Sequence, residues 1–154
     1  MKTKFTILIL FCLFANFFHA QTTVLQSGTT LAALEDYYKK AGYTILDKGD
    51  GYLELKQGQK DSFFLDSSSY FLVFSTNPLL KENISQSKID ALLGRINDGP
   101  VVKAIHVPEK RKLLVEYYFP VSKGYTLETL LDVSSFFQSF AFGVYDKDQE
   151  KILE

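Results

Sequence analysis

The chain contains almost no cysteine and very little histidine. Its 154 residues include one cysteine, two histidines and no tryptophan. Cys12 lies in an apolar segment that we expect to be removed, so the mature chain is predicted to be cysteine-free. It then needs no disulfide framework and offers neither a thiolate nucleophile nor a sulfur ligand for a metal. With His106 as its only remaining histidine, the usual zinc sites are excluded.

The signatures of other chemical sites are also missing. No serine stands in a G-x-S-x-G elbow, and Ser67 to Ser69 are interpreted as turn formers. Gly49 and Gly51 lie within a predicted hairpin and do not precede a helix, so they do not make a phosphate-binding loop. The acidic residues lack the spacing of a twelve-residue calcium loop. We therefore predict no catalytic residues, no cofactor and no metal, and a protein that is not an enzyme.

The charged residues are of both signs and interspersed. The chain has 17 Lys and Arg against 18 Asp and Glu. Removing Lys2 and Lys4 with the N-terminal segment leaves 15 basic and 18 acidic residues, a net charge of −3. This balance lacks the basic surface that is typical of nucleic-acid binding. No nucleic-acid partner is expected.

Residues 1–20 have the layout of a secretory signal peptide. Two lysines precede an uncharged apolar run, FTILILFCLFANFF, and Ala20 offers a small residue at a cleavage site. This run is too short to cross a bilayer, which needs about twenty residues. We expect an exported protein, periplasmic or extracellular, with no membrane contact after cleavage and a flexible leader over residues 21–28. Cleavage after Ala15 and a retained anchor remain alternatives.

Hydrophobic periodicity divides the rest of the chain into helices and strands. Three helices are expected after N-caps at Thr30, Ser87 and Thr126. The predicted strands are a hairpin around residues 48–51, one bulged strand or a further hairpin in 61–77, and a pair at 101–107 and 112–119. The order α-β-β-β-α-β-β-α predicts an α+β fold with an antiparallel sheet. A single domain is expected over 29–146, followed by a charged, frayed tail over 147–154.

Three segments together resemble the YbjN-like family of bacterial proteins. They are LLGRIND, the hairpin VVKAIHVPEKRKLLVEYYFP and the late helix GYTLETLLDVSSFFQSF. The resemblance spans about residues 31–145, and it is looser to the fold of type III secretion chaperones. It implies an open sheet with helices on one face and a role in protein interaction or regulation. The secretion role is not carried over, because those chaperones serve clients in the cytoplasm and this chain is expected to be an exported member.

The position of His106 follows from the hairpin that contains it. An even-numbered turn around Glu109 makes paired residue numbers sum to 219, so His106 faces Leu113 and Lys103 faces Glu116. A catalytic histidine needs a nucleophile or an orienting carboxylate within hydrogen-bond distance. No serine lies on the adjoining strand. We interpret His106 as a structural residue at the turn end of the sheet.

The last predicted helix is apolar over more than half of its circumference. Its apolar residues are Leu127, Leu130, Leu131, Val133, Phe137, Phe140 and Val144. This exceeds the stripe of about 100° that one buried face needs, so part of it should meet a second copy, a client protein, or the first helix. We predict binding to a protein partner or a homodimer, with Phe136, Phe140, Tyr117 and Tyr118 as the candidate interaction surface. The alternative is a carrier of a small apolar ligand with a tyrosine-lined pocket.

Overall fold

The computed structural model describes residues 23–99 and 101–154, and the predicted signal peptide lies outside this range. Within it are three α-helices, a six-stranded sheet and a two-stranded ribbon. The helices are α1 (Leu31–Lys40), α2 (Gln86–Asn97) and α3 (Leu127–Lys147). The strands are β1 (Thr23–Val24), β2 (Thr44–Lys48), β3 (Tyr52–Lys56), β4 (Phe63–Ser67), β5 (Phe71–Thr76), β6 (Lys103–Val107), β7 (Lys112–Pro120) and β8 (Tyr125–Thr126).

The main sheet is antiparallel throughout and has the strand order β2-β3-β4-β5-β7-β6. The predicted α+β class is therefore confirmed. Residues 61–77 form a hairpin rather than one bulged strand, which gives four strands between α1 and α2 where the predicted order has three. Ser68 explains the turn, because its hydroxyl accepts from the Phe71 amide at 3.2 Å while its own amide donates to the Phe71 carbonyl at 2.9 Å.

Side chains alternate across this sheet, and one face carries all three helices. The helix-side residues form two buried clusters. Cluster one contains Leu34, Tyr38, Tyr43, Leu53, Leu55, Phe63, Leu65, Leu72, Phe74, Val121, Tyr125, Leu130 and Phe137. Cluster two contains Leu80, Ile89, Leu92, Ile96, Val102, Ala104, Leu113, Val115, Val144, Ile152 and Leu153. Helix α1 lies over the first, α2 over the second, and α3 contributes to both.

The helix starts follow the expected chemistry at two of three positions. Thr30 accepts from the Ala33 amide at 3.2 Å, and Thr126 accepts from the Thr129 amide at 3.1 Å. The predicted cap at Ser87 is wrong, because α2 begins at Gln86 with Ser85 at the N-cap position. Ser85 satisfies the first turn through its backbone carbonyl, since no side-chain cap bond forms.

Most of the apolar residues of α3 pack within the chain, against cluster one or cluster two. On one side, the hydroxyls of Tyr38 and Ser134 lie 2.6 Å apart and join α1 to α3. On the other, the side chain of Arg95 donates to the Lys147 carbonyl, and Lys147 donates to the Arg95 carbonyl, each at 2.8 Å. Of the three predicted contacts for α3, the structure shows the one with the first helix of the same chain. Leu127 is the exception, because at the helix start it is 36% exposed.

Both ends of the described chain are more ordered than the sequence suggests. Ile152 and Leu153 are buried in cluster two, and their amides donate to the Asp148 carboxylate at 3.0 and 2.8 Å. The expectation of a frayed tail is wrong, because two apolar residues among the charged ones anchor it. Residues 23–28 likewise do not form a flexible leader, since β1 pairs with β8.

No helix in the described part of the chain is long and apolar enough to cross a membrane.

Candidate functional site

The four residues of the predicted interaction surface do not share one face. Tyr117 lies on the helix side, where its ring centroid is 6.1 Å from those of Phe74 and Phe136. Phe140 packs against cluster two, and the Lys147 ammonium lies 5.4 Å from its ring centroid. Tyr118 projects from the opposite face of the sheet, because successive residues of a strand alternate. The structure therefore brings three of the predicted residues together and separates the fourth.

The helix-side group exposes little surface. Tyr117 is half-buried, and Phe140 is largely covered by α2 and by the cation above its ring. Phe136 is 47% exposed, as expected for a residue off the apolar stripe of α3. One exposed phenylalanine is a small patch compared with an interface of standard size, which buries about 800 Å² per partner.

The larger exposed apolar surface is the face of the sheet that no helix covers, which we call the open face. Tyr118 and Phe71 meet there edge to face with ring centroids 6.0 Å apart, and they are 50% and 39% exposed. Tyr52 and Phe64 form a second edge-to-face pair at 6.1 Å. Ile105 adds a side chain that is 54% exposed. Such a combination of exposed aromatic and aliphatic groups is typical of surfaces that bind another molecule.

Sequence reasoning missed most of this face, although the signal was present. Alternation along β3 correctly places Tyr52, Glu54 and Lys56 opposite Leu53 and Leu55. The same rule could not be applied to Phe64 and Phe71, because their strand boundaries depend on whether residues 61–77 form one strand or two. The hairpin decides which of these rings is exposed.

The open face also holds the carboxylates of Asp66 and Glu116, neither of which forms an ion pair in the described structure. Asp66 lies beside Val73 and Tyr52 in the sheet register, and Glu116 accepts a hydrogen bond from the Tyr118 hydroxyl at 3.0 Å. Burial raises the pKa of Asp66, and the negative charge of Glu116 raises it further. This face therefore combines apolar rings with two carboxylates, those of Asp66 and Glu116, that form no ion pair with a described lysine or arginine.

Lys103 and Glu116, which face each other across the hairpin, do not form an ion pair. Lys103 is opposite Glu116 in the register, as predicted. Its ammonium instead donates to the Asn97 carbonyl at 3.4 Å, toward the end of α2. The Glu116 carboxylate is consequently left with the Tyr118 hydroxyl as its partner.

His106 occupies the predicted position, opposite Leu113 in the hairpin register. It is half-buried, and the described residues offer it no hydrogen-bond or ion-pair partner. Among residues 23–99 and 101–154, no group of three or more histidine, cysteine or acidic side chains is arranged to hold a metal.

A tyrosine-lined cleft lies between α1 and the N-terminal ribbon rather than between the sheet and the helices. It has a volume of about 300 Å³ and is lined by Val24, Leu34, Tyr37, Tyr125 and Leu127, among others. Burial raises the pKa of both tyrosines, whose hydroxyls hydrogen-bond to the Leu127 carbonyl and to Thr29. The cleft is thus mainly apolar, since its two phenol groups are already paired.

Comparison with solved structures identifies the architecture. The crystal structure of YbjN, a candidate transcription regulator from E. coli, superimposes with a TM-score of 0.70. The match covers 86% of this chain and 99% of YbjN, at 17% sequence identity. The chain has a YbjN-like fold. No family model and no curated protein matches the sequence, and an identity this low establishes the fold alone.

Proposed function

We propose that this chain is an exported, non-enzymatic domain of YbjN-like type that binds a protein partner through the open face of its sheet. The observation that carries the proposal is the exposed Tyr118–Phe71 pair next to the unpaired carboxylates of Asp66 and Glu116. The YbjN-like fold supports an interaction or regulatory role.

The carboxylates on this face indicate that the partner carries a positive charge at the contact. A carboxylate with a raised pKa is in an environment that disfavours its charge, and a nearby cation would reverse this effect. An arginine or lysine between apolar side chains would pair with Asp66 and Glu116 while its neighbours cover Tyr118 and Phe71. We therefore expect a protein surface with a basic side chain at the centre of an apolar patch. A second copy of this chain fits less well, because two such faces would bring four carboxylates together.

Charge reversal tests the surface. Glu116→Lys should lower the affinity for the partner about tenfold or more, because it replaces an attraction to the partner's basic side chain by a repulsion. Glu109→Lys is the matched control, since it makes the same charge change in the exposed turn of the same hairpin. The partner is captured from periplasmic extract, purified, and titrated against both variants by calorimetry.

Phe136→Glu distinguishes the open face from the helix side. On the present proposal this variant keeps wild-type affinity, because Phe136 lies on the other side of the sheet. If Phe136→Glu abolished binding while Glu116→Lys kept wild-type affinity, the interface would lie at α3. That result would contradict the proposal. Sedimentation of the purified wild type adds a further check, since a stable dimer disrupted by Glu116→Lys would make the partner a second copy.

Export is tested separately by mass analysis of the N-terminus of protein from its native host. The basic residues and apolar run of residues 1–20 support a mature chain that begins at or near Gln21. A chain that still starts at Met1 would contradict the proposed localisation, without bearing on the binding face.

The cleft beside Tyr37 and Tyr125 favours a second candidate function, the carriage of a small apolar ligand. Its volume of about 300 Å³ is at the lower end of the range for small-molecule sites. Native mass spectrometry of the purified protein would detect a retained ligand. Ala33→Phe, at the cleft wall, should abolish that retention and leave the binding of a protein partner unchanged.

A further inference from the structure

A second cavity lies at the end of the sheet where α3 crosses it. It has a volume of about 350 Å³ and is bounded by the end of β3, the segment before β4 and the segment after β5. Gln138, Ala141 and Tyr145 line it from α3, at spacings of three and four residues that place them on one face of the helix. We call this space the Gln138 cavity.

Gln138 is the most unusual residue in this wall. It is only 2% exposed, and its side-chain carbonyl has no hydrogen-bond partner among the described residues. Its amide nitrogen is 3.5 Å from the Asp61 carbonyl, at the limit of a hydrogen bond. Buried polar atoms are satisfied in the large majority of cases. An unsatisfied acceptor in a cavity wall is therefore a group that a bound donor would complete.

The other polar groups of the cavity are two carboxylates, one ammonium, and the side chains of Ser62, Thr76 and Asn77, which can donate or accept. Asp61 and Glu154 contribute carboxylates, and Lys56 contributes one positive charge at the β3 end. The Asp61 carboxylate makes no ion pair within the described structure, whereas Glu154 lies 4.0 Å from the Arg111 guanidinium. Asp61 is thus the carboxylate of this lining that no described cation pairs with.

Tyr145 and an apolar floor complete the lining. Burial raises the pKa of Tyr145, and the charge of Asp61 adds to the effect, so the phenol stays protonated and can either donate or accept. Phe63 and Ala141 supply apolar surface between the polar groups. The cavity therefore suits a molecule that has hydrogen-bond donors at one end and an apolar body.

We propose that the Gln138 cavity binds a small molecule carrying a primary ammonium group on an apolar body. An ammonium presents three donors and no acceptor, which matches the carbonyl of Gln138, the carboxylate of Asp61 and the hydroxyl of Tyr145. Its charge also complements the Asp61 carboxylate, which has no ion-pair partner among the described residues. This site is separate from the open face, because it is built on the helix side and at the end of the strands.

Three probes of the same shape test the chemistry of the head group. Benzylamine is cationic at neutral pH, benzyl alcohol is neutral and benzoate is anionic, and all three carry the same ring. Backbone amide shifts of the purified protein are followed by NMR as each probe is added. Benzylamine should give saturable shifts at residues 61, 138 and 145, with an affinity about tenfold or more above that of the other two, a difference readily resolved in a titration.

Two substitutions of Gln138 separate binding from a structural role. Gln138→Leu keeps the approximate volume but removes the acceptor, so it should abolish the preference for benzylamine while the Tm stays equal or rises. Gln138→Glu keeps an acceptor and should retain the preference. Gln86→Leu, at the exposed start of α2, is the matched control and should leave benzylamine binding unchanged.

Several results would overturn the proposal. Equal affinity for all three probes would mean an apolar cleft whose polar atoms are satisfied by water. Tighter binding of benzoate would mean that Lys56 dominates and the site takes anions. A lower Tm in Gln138→Leu with the benzylamine preference intact would assign Gln138 a structural role only.

Discussion

Removing the hydroxyl of Ser134 should destabilise this protein more than removing that of Tyr38, although the two groups share one hydrogen bond. Both residues are fully buried, and their oxygens are 2.6 Å apart between α1 and α3. Ser134 donates its only proton to the Leu130 carbonyl at 2.7 Å. The phenol of Tyr38 must therefore be the donor in the shared bond, and Ser134 the acceptor.

The two deletions leave different groups behind. Tyr38→Phe removes the donor, and Ser134 keeps its bond to Leu130, so the cost should be that of an ordinary hydrogen bond, about 1 kcal/mol. Ser134→Ala leaves the Tyr38 phenol buried with no acceptor, which costs about 1–3 kcal/mol. Burial raises the pKa of Tyr38, and the hydrogen bond to Ser134 offsets only part of this increase. The phenol therefore stays protonated, and its proton remains an unsatisfied donor.

The double variant provides the decisive measurement. Once Ser134 is alanine, Tyr38→Phe removes an unsatisfied donor, so the second substitution should restore stability. Urea unfolding gives the free energies, and thermal melting provides a check, since 1 kcal/mol corresponds to roughly 2–8 °C in Tm for domains of this size range. Equal costs for both single variants, or a double variant whose loss equals their sum, would refute the proposed donor assignment and the coupling of α1 to α3.

Three other outcomes are expected. Glu150→Gln should lower the Tm at pH 7, because Arg95 lowers the pKa of Glu150 and the pair therefore stabilises the fold above the unfolded pKa of the carboxyl. This difference from wild type should disappear as the pH falls through the lowered folded value; a difference that persisted in strong acid would disprove the linkage. Asp66→Asn should have the opposite sign, raising the Tm at neutral pH, because the folded state raises the pKa of Asp66 and so favours its protonated form. The gain should be lost once wild-type Asp66 is itself protonated, and a loss of stability at pH 7 would contradict the cause given for the shift. Ile152→Ala should cost about 2–5 kcal/mol in urea unfolding, because it opens a cavity in cluster two. Ile105→Ala, at an exposed site, should stay within about 0.5 kcal/mol, and similar values for both would mean that the last residues do not pack.

Local patterns predict much of this fold. The hairpin register that places His106 opposite Leu113 is confirmed, because a tight turn and strand alternation leave few choices. The caps at Thr30 and Thr126 are confirmed for a similar reason, since a threonine hydroxyl can reach the amide three residues ahead without help from the rest of the chain. Ser87 shows the limit of this reasoning, because the run Ser85-Gln86-Ser87 offers more than one serine as the N-cap of α2.

The candidate site depends more heavily on contacts between distant segments. Phe136 was correctly placed off the buried stripe of α3 by its position on the helix. Tyr117 and Tyr118 are both predicted to belong to one interaction surface, although neighbours in a strand point to opposite faces. Gln138 gave no signal at all, because an amide on a helix becomes notable only when the surrounding elements bury it.

Composition and periodicity alone determined that this chain is an α+β protein with an antiparallel sheet and few groups suited to catalysis. Helix caps, hydrophobic periodicity and hairpin turns involve residues only a few positions apart, so they can be recognised in the sequence itself. Only the tertiary structure decided that most of the apolar residues of α3 pack within the chain, that Ile152 and Leu153 anchor the last residues, and that Asp66 and Glu116 share an exposed face with Tyr118 and Phe71. The physical reason is that burial and pairing are properties of residues brought together from distant parts of the chain. The charge of Asp66 and the carbonyl of Gln138 therefore acquire their significance only from neighbours that the linear order does not place beside them.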